Sequence, residues 1–209
     1  MSSNSVGKSL PRIDALDKVT GKTLYSGDLS MNDMLHMKVL FAERPHARVK
    51  NIRTEKAEAA DGVVAVYTSK DVPVNEYGLQ IPDQPVLCGP GSKKPYTDIV
   101  RFVGDQVAVV VAQTEEEAAA AVKLIEVDYE DLPILANPTV ALHADAPILH
   151  PDRGDTNICV HYKIRKGDVD EAFAKAHVIV EGQYQTPVQE HAYLQPEAGL
   201  AYMDEEGHV

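Results

Sequence analysis

The clearest alternation of apolar and polar positions runs through Leu35, Met37, Val39 and Phe41. Its two-residue period predicts a strand with these four side chains on the buried face. Val49 and Ile52 continue the apolar pattern after the Arg44-Pro45-His46-Ala47 break. A short helix is expected from Thr54, an N-cap type of residue, to the turn pair Asp61-Gly62. The β-branched run Val63 to Thr68 that follows reads as a fully buried strand.

From Ser69 to Thr97 the periodicity disappears, and prolines and glycines sit among polar residues. A loop of this length is usually a functional or interface element. The strongest local signal comes next: Val107 to Ala112, then Thr114-Glu115-Glu116-Glu117 opening an alanine-rich stretch that ends near Ile125. Thr114 and Glu117 have the spacing of a capping box, and Ala118, Val122 and Ile125 fall on one helical face. Ile125 to Tyr129 alternates again, so the order strand, helix, strand predicts a crossover unit in an α/β layer.

Four prolines between residues 131 and 157 predict a linker. Beyond it, strands are expected at Ile158 to Ile164, Val178 to Tyr184 and Gly199 to Met203, with a helix opening at Asp168 whose apolar face carries Val169, Ala172, Phe173 and Ala176. A turn at Asp204 to Gly207 then leads into His208-Val209, the start of a return strand. Such an end predicts a truncated piece or one part of a split gene, because an uncovered strand edge is normally avoided. Residues 1 to 22, interrupted by Gly7, Pro11 and Gly21, predict an extended arm.

Composition narrows the function classes. With 32 acidic against 20 basic residues the net charge is −12, which disfavours nucleic acid as a partner. Two cysteines, Cys88 and Cys159, are too few and too widely spaced for a disulfide framework or an iron-sulfur site. The N-terminus has no basic region followed by an apolar run, and no apolar stretch reaches membrane-spanning length. A soluble cytoplasmic protein is therefore expected.

Candidate chemistry is sparse. Gly104, in Arg101-Phe102-Val103-Gly104-Asp105-Gln106, is a lone glycine and reads as a tight turn rather than a phosphate cradle. The densest polar cluster is Thr186 to Glu197. Glu190 and His191 lack the further ligands that zinc requires, and residue chemistry favours their satisfying each other or the backbone. No nucleophile, paired carboxylate or phosphate loop stands out.

Several segments nevertheless resemble the xanthine dehydrogenase/aldehyde oxidase family of molybdenum hydroxylases. They are Lys18 to Lys22, Tyr25 to Asp28, Arg44 to Arg48, Gly62 to Val66 with Asp71 to Pro73, Val103 to Ala108, Val127 to Pro133 and, most specifically, Gln189 to Glu197. The resemblance implies the N-terminal part of the molybdopterin-binding large subunit. Its fold is then mixed α+β or α/β: an extended arm (1–17), an α/β-hammerhead domain (18–135), a linker (136–155) and the first strands and helix of the cofactor-binding domain (156–209).

The implied activity is oxidative hydroxylation of a purine-like heterocycle or an aldehyde, with molybdenum-molybdopterin in the complete subunit. The implied partners are the remainder of the large subunit, an iron-sulfur (2Fe-2S) subunit and an FAD subunit; nucleic acid and membrane are not among them. By the same resemblance, Gln189 hydrogen-bonds an oxygen ligand of molybdenum, a role suited to a neutral amide. No residue is assigned as catalytic or as a direct metal ligand. The glycine-rich segment and the catalytic glutamate that the family carries further along are absent, so the chain alone is expected to be inactive. The alternative is a non-catalytic hammerhead that serves docking or assembly.

Overall fold

A computed structural model describes residues 6–194 and 196–209. Their contacts gather into two units, one spanning Leu35–Val169 and the other joining the stretch up to Met34 with Asp170–Val209.

The first unit contains two three-stranded antiparallel sheets. One has the order β1 (His36–Phe41), β5 (Gln106–Ala112), β3 (Val63–Thr68); the other has β4 (Ile99–Val100), β2 (Ala47–Arg53), β6 (Glu126–Asp131). β5 is central because its run of valines and alanines can be covered on both edges by hydrogen bonding and still bury Ala108 and Val110 against the helices. Helices α2 (Glu55–Glu58) and α3 (Glu115–Ala121) supply Ala57 and Ala121 to that core, together with Ile125. A second core joins Ala47, Val49, Cys88, Val100 and Val107, and Ile52 and Val127 pack against both.

The α3 N-terminus forms as its sequence requires. Thr114 Oγ1 accepts from the Glu117 N–H at 3.2 Å, and the Glu117 carboxylate accepts from the Thr114 N–H at 3.0 Å, satisfying two otherwise orphaned donors. The chain then departs from the expected crossover. β6 leaves β5's sheet and pairs antiparallel with β2. Charge explains the choice of partner: the Arg53 guanidinium meets Glu126 at 3.1 Å and Asp128 at 2.9 Å, and Lys50 pairs with Glu130. An acidic strand thus lies beside a basic one, a favourable cross-strand arrangement.

β1 forms where its period predicts, with the opposite face covered. Leu40 packs on the helix-side core, whereas Met37 and Phe41 are exposed. Lys38, on the same side of the strand as Leu40, reaches Glu115 at the start of α3, 2.5 Å away. β3 is likewise an edge strand with Val64 and Tyr67 exposed, not a fully buried one.

The long loop after β3 is pinned rather than loose. Its base carries the Tyr77–Gln84 bridge, and the Asn75 side chain is buried within it. Residues 137–157 are also tied down: α4 (Pro138–Ala141) is capped by Asn137, and Asn157 bonds the carbonyls of Ala141 and Pro147 and the N–H of Leu149.

In the second unit the expected arm carries a helical turn, α1 (Ala15–Val19), closed by the Thr20 hydroxyl donating to Leu16 O at 2.7 Å. Asp14 is held below the usual carboxylate range by hydrogen bonds from Lys18 and Arg12. Helix α5 (Val169–Lys175) forms as expected. The strands expected at 158–164, 178–184 and 199–203 do not form. A strand is completed only by a neighbour that takes up its N–H and C=O groups, and among the described residues no strand pairs with these segments. The turn after Asp204 does form, with the Asp204 N–H donating to His208 O at 2.8 Å. Among the described residues no helix is long and apolar enough to cross a membrane.

Candidate cofactor-facing segment

The described residues of the segment Thr186 to Glu197 have no regular secondary structure, so only local contacts place their side chains. Gln189 is exposed. The Glu190 carboxylate accepts from the His191 backbone N–H at 3.0 Å, and the His191 Nδ1 lies 3.9 Å from the same oxygen. The Glu190 carboxylate thus meets the backbone, and the imidazole, at 3.9 Å and almost fully exposed, makes no hydrogen bond to it. Ala192 adopts a left-handed conformation with φ of 48°, a turn that costs an alanine about 1 kcal/mol. The Tyr193 hydroxyl donates to Glu197, whose carboxylate pushes the phenol's pKa upward. Gln195 lies outside the described residues.

Burial describes this stretch more sharply than any single contact. Of the described residues from 158 to 209, only Leu200 is not exposed. No group of three or more His, Cys, Asp or Glu side chains that could hold a metal ion occurs among the described residues. The donor chemistry of Gln189 suits a metal-bound oxygen, but nothing here encloses a pterin or a metal. The described residues do not by themselves fit a molybdenum cofactor.

Two other places were open to chemistry. The Arg101–Gln106 turn closes on the Asp105 carboxylate, which accepts from the Arg101 N–H at 2.7 Å and the Phe102 N–H at 3.1 Å. A carboxylate occupying those donors excludes a phosphate from the same turn. Cys88 is fully buried, and desolvation drives its thiol pKa far up, whereas Cys159 is exposed. Burial of this kind makes a thiol inert.

Sequence reasoning missed Arg101 as an anchor. Its Nε donates to Leu149 O at 2.6 Å and its other guanidinium nitrogen to Ile99 O at 3.3 Å, fixing the 147–157 stretch against β4. Arg153 adds a second tie through the Pro82 carbonyl at 2.5 Å. Single arginines in loops leave no periodic signal that could have revealed these contacts.

Comparison with known proteins identifies the class to which the fold and this segment belong. The family model described as aldehyde oxidase and xanthine dehydrogenase, a/b hammerhead domain, matches residues 20–133, and that of the molybdopterin cofactor-binding domain matches residues 149–209. A probable xanthine dehydrogenase subunit of Bacillus subtilis is 43% identical over 94% of this chain and 25% of its own length. The nicotinate dehydrogenase large molybdopterin subunit of Eubacterium barkeri is 37% identical over 97% of this chain and 45% of its own. Among solved structures, quinoline 2-oxidoreductase from Pseudomonas putida 86 superposes with a TM-score of 0.71 at 30% identity, covering 86% of this chain and 23% of that one. The chain belongs to the xanthine dehydrogenase/aldehyde oxidase family of molybdenum hydroxylases. It spans between a quarter and a half of the length of these curated relatives.

Proposed function

We propose that this chain supplies the hammerhead domain (18–135), a linker (136–155) and the opening of the cofactor-binding domain (156–209) of a cytoplasmic molybdenum hydroxylase large subunit, and that it is inactive alone. The observation that carries the reading is the match of residues 149–209 to a molybdopterin cofactor-binding domain, in which every described residue from 158 on except Leu200 is exposed. Polypeptide beyond these residues would complete the enclosure. The molybdenum-molybdopterin group, when bound there, supplies the oxidative hydroxylation chemistry.

Within that site Gln189 is the one residue assigned a role, as a neutral amide donor to an oxygen ligand of the metal. Removing a hydrogen-bonding residue behind a metal's own ligands typically costs about 10- to 100-fold in affinity or activity. The substrate is a purine-like aromatic heterocycle. A relative named for xanthine supports that class, those named for nicotinate and quinoline support only the wider class of aromatic nitrogen heterocycles, and an aldehyde oxidoreductase marks the other option. A 2Fe-2S subunit and an FAD subunit are the partners that would carry electrons away.

The test is to co-express the chain with the remaining large-subunit polypeptide of the Bacillus subtilis relative and its iron-sulfur and FAD subunits. Dye-linked oxidation of hypoxanthine by the assembly, absent from the chain alone, supports the proposal. Equal turnover by both samples, or turnover by neither, contradicts it.

A further inference from the structure

The outer face of the β1-β5-β3 sheet carries no charged side chain in its centre. The register aligns Met37 with Val111, Val39 with Val109, Ala65 with Val111 and Tyr67 with Val109, so these six residues share one face. Their neighbours Leu40, Val66, Ala108 and Val110 point the other way, into the core beneath α2 and α3. Met37 is 62% exposed, Tyr67 48%, and Val64, the extra residue where the β3 register shifts, 52%. An antiparallel sheet with one solvated face normally alternates apolar-in with polar-out. Here both faces are apolar, the pattern of a sheet covered on both sides.

We infer that this face, centred on Met37, Val39, Tyr67, Val109 and Val111, is where the rest of the large-subunit polypeptide packs. The inference rests on the proposed function, which supplies such a polypeptide. Two physical arguments select that occupant over a second copy of this chain. Three strands at about 4.8 Å spacing and roughly 3.4 Å per residue make a face of about 15 by 17 Å, far below the ~800 Å² per partner of a free-standing specific interface. A patch of that size is adequate as one part of a larger contact, which the opening of the cofactor-binding domain would share with the same polypeptide. Two copies carrying a net charge of −12 each would also repel. The occupant this face fits is an uncharged apolar surface, because any charge seated over the valines would be desolvated without a partner.

The experiment places Met37→Lys and Tyr67→Lys singly in the chain, with Leu79→Lys on the fully exposed loop tip as control. Each is co-expressed with the remaining large-subunit polypeptide of the Bacillus subtilis relative, and co-purification is quantified. Thermal unfolding of each chain alone verifies that the fold is intact. The expected result is retention of the wild type and of Leu79→Lys, and at least a tenfold loss of retention for the two sheet variants with unchanged melting. Undiminished retention of the sheet variants overturns the inference, as does failure of the wild type to be retained. So does a wild-type dimer that Met37→Lys dissociates, which would make a second copy the occupant. Molybdenum in the co-purified complex is read separately: a complex that forms through this face and holds no metal contradicts the proposed function and leaves the docking face standing.

Discussion

Asn75 and Leu87 meet across the long loop as two strand residues would: the Asn75 amide donates to Leu87 O at 2.8 Å and accepts from the Leu87 N–H at 3.0 Å. The clamp is buried, so removing the amide strands a backbone donor and acceptor away from water. Such a loss costs roughly 1–3 kcal/mol. Asn75→Ala is expected to lower the denaturant midpoint accordingly, and a midpoint equal to wild type would show that water replaces the clamp without cost.

The capping box of α3 gives a smaller effect. Thr114→Ala removes the acceptor for the Glu117 N–H, and caps of this kind are worth about 1 kcal/mol. Chemical denaturation of Thr114→Ala should show that decrement, and Thr114→Ser should restore most of it. A Thr114→Ser variant as unstable as Thr114→Ala would contradict the hydroxyl's role.

The two cysteines should separate by reactivity. Cys159 is exposed and Cys88 lies in the core with its thiol strongly favoured over thiolate. A thiol reagent is expected to label one cysteine per chain in native conditions and two after denaturation. Rapid native labelling of Cys88 would mean that the core joining the two sheets opens readily.

Acid sensitivity should have a component from His150. Burial, and then the neighbouring Arg101, lower its pKa from 6.5. A group with a depressed folded pKa contributes stability that is present above its unfolded value and lost as pH falls through the folded one. Stability should therefore decline as pH drops below about 6.5, before the carboxylates held low by Arg53, Lys50 and Lys38 begin to protonate. His150→Gln should flatten the decline between neutrality and pH 5 in melting experiments. An identical slope in the variant would assign the loss elsewhere.

Sequence and structure agree best where a signal is local. The α3 cap, the strand at Gln106–Ala112 and the turn at Asp105 all follow from residues within a few positions of each other. The period of β1 was legible too, but which of its faces met the helices depended on packing distant in sequence, with Leu40 against the core of Ala108, Ala121 and Ile125. The pairing of β6 with β2 depended on charges equally distant in sequence. For Gln189 no periodic or metal-ligand signal exists. An amide that donates one hydrogen bond differs from a surface glutamine only by what sits opposite, and only family resemblance singles it out.

If this chain holds part of a molybdenum site, further polypeptide must complete it before metal is retained. Elemental analysis decides the point, comparing molybdenum per mole in the purified chain with that in the same chain co-expressed with the remaining large-subunit polypeptide. Metal is expected only in the second sample, with Gln189→Ala retaining protein assembly while losing activity about 10- to 100-fold. Molybdenum in the chain alone, or in neither sample, would contradict the proposed function.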